Sequence, residues 1–208
     1  MISVDTSLDL GAAAGTSLTT SYTNSGNILF VGAFATGGDY ITGVTYAGVA
    51  MTQVPTASPV QVPGNLWISL WYLIAPATGA NNIVINASPS TTIGGDAASY
   101  FATSPSIDVS GNATATSASS ISKSITTTQN NAWTVGWCST DGFNVSAGAS
   151  TTLRQGNGSN RAIFDSNAAI TPPGSTTLNV SQSGSGNSAF IMTSFYEPSY
   201  GGYIFIQA

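Results

Sequence analysis

Dense apolar runs separated by short polar turns set the rhythm of this chain. Two runs dominate, residues 27–36 (NILFVGAFAT) and 66–74 (LWISLWYLI), both crowded with β-branched, aromatic and aliphatic side chains and bounded by Gly, Asn or Pro. Runs of that kind predict central strands buried on both faces. Weaker alternation predicts further strands at 41–46, 50–54, 82–87, 97–102, 120–126, 132–138, 151–155, 161–166, 176–181 and 188–196. Between them lie turn-forming strings such as Gly37-Gly38-Asp39, Asp141-Gly142 and Pro172-Pro173-Gly174, in which Gly supplies positive φ and Pro presets the bend. No window carries apolar residues at helical spacing flanked by charge. About a dozen short strands at this spacing predict an all-β fold, a two-sheet antiparallel sandwich and most simply a jelly roll.

The same pattern divides the chain into a single sandwich domain over 1–197 and a carboxyl-terminal strand extension over 198–208. In that extension Tyr203, Ile204, Phe205 and Ile206 form a separate apolar strand, which either completes a sheet or reaches a neighbouring subunit. The Ser-, Thr-, Ala-, Gly- and Asn-rich stretch 104–120 reads as a polar connection between the halves of the sandwich, and no internal repeat stands out.

Composition narrows the classes open to such a fold. Charged residues are 5% of the chain, against about 25% in an ordinary soluble domain. With 42% hydrophobic and 10% aromatic residues the chain nonetheless has the material for a core, so the low charge does not mean disorder. The longest apolar stretch, 66–77, is broken by Ser69 and Pro76 and falls short of the roughly 20 residues a membrane-spanning helix needs. The aromatics cluster where an outer-membrane barrel would repeat them as girdles, so no membrane partner is expected. Eight acids face only Lys123, Arg154 and Arg161, which make no basic patch, and this excludes nucleic acid held through its phosphates. The first residues, Met1-Ile2-Ser3-Val4-Asp5, lack the basic and apolar regions of a secretory signal, which predicts assembly without export if Met1 is the native start.

Candidate chemistry is sparse. There is no His, so the usual general base, triad member and metal ligand are missing together. The acids Asp5, Asp9, Asp39, Asp96, Asp108, Asp141, Asp165 and Glu197 are scattered singly, and only a pairing in space could make a glycosidase-like couple of them. No Asp-x-Asp cluster or Cys set suggests a metal, and Cys138, alone, reads as a small buried hydrophobe. Ser120 and Lys123 imitate a Ser-x-x-Lys nucleophile motif, but on a strand they point to opposite faces. A non-enzymatic protein without a cofactor is the expectation. Trp67 and Trp71, and likewise Trp133 and Trp137, are four residues apart and share a face. Each pair is either core or a platform for a sugar ring. Tyr40, Tyr46 and Phe143, near turns, are placed for exposure.

Three segments carry a resemblance: 25–33 (SGNILFVGA), 41–52 (ITGVTYAGVAMT) and 70–79 (LWYLIAPATG), with closing strands at 156–165, 176–180 and 189–196. Together they resemble a β-sandwich, jelly-roll-like module found in phage structural proteins and bacterial surface proteins. The resemblance spans roughly residues 2–197 and rests on strand and turn residues, so it implies a role in display, adhesion or particle architecture and no catalytic set. The expectation is a non-enzymatic virion structural protein of a tailed phage, a capsid decoration or fibre component. Its partners would be other virion proteins or further copies of itself in a homo-oligomer. The alternative is a carbohydrate-binding or adhesive module on a bacterial surface or secreted, with a surface glycan as ligand.

Overall fold

The computed structural model describes residues 1–156 and 159–198, and among these every regular element is a strand. Residues 3–101 build one antiparallel sheet: β1 (Ser3–Asn24), β2 (Ile28–Thr36), β3 (Ile41–Tyr46), β4 (Val49–Ala50), β5 (Thr52–Gln53), β6 (Val60–Val62), β7 (Leu66–Ile74) and β8 (Gly79–Phe101). Residues 106–196 build the other: β9 (Ser106–Thr126), β10 (Trp133–Thr140), β11 (Val145–Ala147), β12 (Thr152–Gln155), β13 (Arg161–Asp165) and β14 (Ser175–Tyr196). The two-sheet antiparallel sandwich expected from the alternation is therefore present.

The long strands do not run straight. Tyr22, near the end of β1, donates its hydroxyl to the Thr6 carbonyl and to Ser99 Oγ, both at 2.9 Å. Sixteen extended residues would separate Tyr22 from Thr6 by about 50 Å, so β1 and β8 fold back together over their own sheet. One layer then reads β1, β8, β2, β7, with β2 held between residues 93–100 of β8 and the whole of β7. The other reads β1, β8, β3, β4, with β3 on residues 83–87 of β8. That is the strand order of a jelly roll.

Residues 106–196 repeat the plan. The first part of β9 and the second part of β14 join β10 and β13, while the remaining part of β14 carries β11. Gly111 lies against the Lys123 side chain, so β9 folds back as β1 does. Even the first bulges match. Asp5 is the extra residue between the pairs Val4 with Tyr100 and Thr6 with Ser99, and it accepts hydrogen bonds from the Ser25 and Gly26 amides and from Ser99 Oγ at 2.8 to 2.9 Å. Asp108 sits in the corresponding bulge opposite Ser194, whose hydroxyl it accepts at 3.2 Å, and it caps the Thr128 amide at 2.9 Å. The sequence shows this duplication only as Ser3-Val4-Asp5 against Ser106-Ile107-Asp108, too short a match to register as a repeat.

Three apolar cores follow. Tyr46, Trp71, Ile83 and Ile85 fill the first half, and Phe164, Leu178, Val180 and Phe190 fill the second. A third core lies between the halves, where Phe30, Tyr100, Trp133, Trp137 and Phe195 meet. Tyr100 and Phe195, with ring centres 5.4 Å apart, take part from opposite sides. β2 and β10 are buried on both faces, which makes β2 almost wholly apolar, while β10 also buries Thr134, Ser139 and Thr140.

Two expectations need correction. The stretch 104–120, read as a connection, lies mostly in β9, and residues 3–24, for which no strand was predicted, form β1.

Candidate functional site: the junction and the outer faces

The junction between the halves takes up both arginines and three of the eight acids. Arg154 on β12 holds Asp165 of β13 with two hydrogen bonds, Nε to Oδ2 at 2.6 Å and Nη2 to Oδ1 at 2.9 Å. Tyr100 of the first half donates its hydroxyl to the same carboxylate at 3.1 Å, and Ser7 Oγ donates to the Arg154 carbonyl at 2.8 Å. Burial, with the Asp165 charge beside it, pushes the Tyr100 hydroxyl well above its ordinary range. The fully buried Asp165 is thus neutralised from its own half and bound from the other.

Arg161 makes the second link. Its Nη2 donates to Asp9 Oδ1 at 2.7 Å, its Nε stands 3.8 Å from Asp96 Oδ2, and its guanidinium carbon lies 5.4 Å from the centre of the Phe34 ring. Asp9 and Asp96 are direct cross-strand partners on β1 and β8, an arrangement in which like charges repel. Burial raises the Asp96 carboxyl to about 8, with Arg161 opposing and Asp9 reinforcing the shift. Here two of the scattered acids do meet in space. Asp96 is completely buried, however, so no sugar can be placed between it and its neighbour.

The remaining candidates fall elsewhere. Trp133 and Trp137 are buried in the central core and Trp71 in the core of the first half, which leaves Trp67 alone partly exposed. The two tryptophan pairs make no surface platform, because three of the four rings are buried in the cores. Tyr46 is also buried, its ring edge-on to Tyr22, whereas Tyr40 and Phe143 are half-exposed. Ser120 faces solvent on β9 while Lys123 is directed inward against Gly111, so the two share no site. Cys138 is buried in the second half, where desolvation pushes its thiol far up. No group of three or more Cys, Asp or Glu side chains among the described residues is placed to hold a metal ion. Tyr203, Ile204, Phe205 and Ile206 lie outside the described residues.

A cleft of about 330 Å³ opens where the halves meet, lined by Phe34, Thr36, Leu66, Thr140, Asp141 and Asn160. Asp141 is engaged there, since its Oδ1 accepts from the Asn187 amide at 2.9 Å. The outer faces are hydroxyl-rich. Ser17, Thr19, Ser21 and Thr23 of β1 point outward, and Ser120, Ser122, Ser124 and Thr126 do so at the matching place on β9. Sequence reasoning missed the face on β1, whose only signal was a faint alternation of Ser and Thr, whereas the face on β9 lies in the strand predicted over 120–126.

No family model and no curated protein matches the chain. Among solved structures it is similar to the major capsid protein P2 from bacteriophage PM2, at 9% identity, covering 98% of this chain and 100% of that one with a TM-score of 0.32.

Proposed function

We propose that this chain is a non-enzymatic structural protein of a phage virion, a decoration or fibre component of the particle surface that works by packing against other virion proteins or copies of itself. One observation carries the reading: two jelly rolls are fused through a shared core into a single block whose arginines are both spent on its internal junction. What such a block offers outside is broad, sparsely charged and rich in hydroxyls, suited to many weak, repeated contacts. An active site would need reactive groups gathered at an accessible place, and the groups with strongly shifted ionisation, Tyr22, Asp96, Tyr100 and Cys138, are all sealed in the interior. Quantitative mass spectrometry of purified particles tests the proposal. Many copies per particle are expected, and absence from particles would overturn it.

A further inference from the structure

We propose that the free edge of β1 over residues 17–24 is a self-association surface, on which the same stretch of a second copy of this chain docks as an antiparallel strand. The proposal rests on the structural-subunit reading only for its purpose; its grounds are the edge itself. Along 17–24 the strand pairs with residues 79–86 of β8 without a bulge, and among the described residues β1 has no partner on its other side. The amide and carbonyl groups facing away from β8 therefore have no strand of their own chain to bond. Burial alternates strictly here: Ser17, Thr19, Ser21 and Thr23 are exposed, while Leu18, Thr20, Tyr22 and Asn24 turn inward. Leu18 is only partly covered at the rim of the first core.

The other edges among the described residues are guarded. β4, β5, β6 and β11 are two or three residues long, and β12 has four and carries Arg154. β9, one residue shorter than β1, turns Lys123 inward, and an inward charge on an edge opposes strand addition. β1 has none of these devices, for residues 10–24 contain no charge and no Pro.

What fits this edge is an extended, neutral strand with small hydroxyl side chains on one face, and the same stretch of a second copy is such a strand. A two-fold axis through Thr20 sets Thr19 opposite Ser21 of the second copy and Ser17 opposite its Thr23, as paired hydroxyls. On the core side it sets Leu18 opposite Tyr22 of the second copy, covering the apolar rim that one chain leaves half-open.

Sedimentation velocity on the full chain tests this. The wild type is expected to sediment as a dimer. Thr19→Lys with Ser21→Lys sets like charges against each other across the axis, and both positions are exposed, so the circular dichroism should hold while the mass falls to that of a monomer and the melting temperature loses its dependence on concentration. Thr19→Glu with Ser21→Glu should do the same, and an equimolar mixture of the two variants should regain the dimer mass. A wild type that stays monomeric at the highest concentration reached, a lysine variant that keeps the wild-type mass, or a mixture that fails to dimerise would each overturn the proposal. Particle content is measured separately. A monomer found in virions removes the edge and leaves the virion reading intact, and a dimer absent from virions does the reverse.

Discussion

Gly32 occupies a position that no other residue can fill. A Cβ there would lie 2.2 Å from the Trp137 ring, so the missing side chain on β2 is the space into which the largest side chain of β10 packs. Gly32→Ala is expected to destabilise the chain by about 1–3 kcal/mol, as overpacking of a close-packed core does, and urea unfolding followed by tryptophan fluorescence measures the loss. Asp96 gives a prediction in pH. Its carboxyl titrates at about 8 in the folded chain against an ordinary 3.8, so the folded state holds a proton that the unfolded state releases across that window. Its contribution is full below the ordinary carboxyl range, declines as pH rises through the window, and is lost above the folded value. Thermal melts from pH 4 to pH 8 should show stability falling, and Asp96→Asn should flatten the profile and raise the melting temperature at pH 8 by on the order of 5 °C.

At the scale of elements, the bulges of β1 and β9 explain how each long strand is anchored. Asp5 and Asp108 each cap the turn that leads into the next strand and take a serine hydroxyl from the far strand of the same half. Asp5→Ala and Asp108→Ala should each cost about 2 kcal/mol, the scale of hydrogen bonds to a charged group, in chemical denaturation. A cost at one site and none at the other would show that the two halves do not share this device. These same strands mark the limit of what could be read from the chain. β2 and β7 were legible as dense apolar runs, and β10 by the alternation that places Trp133, Val135 and Trp137 on one face. β1 and the first part of β9 were not, because an edge strand exposed along one face is satisfied by Ser, Thr, Gly and Ala, the composition of a loop.

For the whole molecule, the central core decides how it unfolds. Phe30 and Tyr100 from the first half, and Trp133, Trp137 and Phe195 from the second, would be stripped of cover if the halves parted. The two halves are therefore expected to unfold in one transition, with equal calorimetric and van't Hoff enthalpies, although the first has the strand order of a jelly roll and the second repeats most of it. Two separated transitions would show that each half stands alone. The junction's ion pairs act in the same direction, since removing Arg154 leaves Asp165 charged and buried, a change that costs about 3–5 kcal/mol in other proteins.

The sequence by itself determined the class of the molecule: β-branched and aromatic runs broken by Gly and Pro can bury themselves only as stacked sheets. It also determined how little charge is available to work with. Tertiary structure alone decided where that charge went, because Asp96, Arg161 and Asp9, like Arg154, Asp165 and Tyr100, are brought together by strand register and by the packing of one half on the other. It alone decided, too, that the four tryptophans serve the interior apart from the partly exposed Trp67, and that two stretches resembling loops are the longest edges of the fold. Pairing partners and layer contacts are non-local, and a pattern read along the chain carries no record of them.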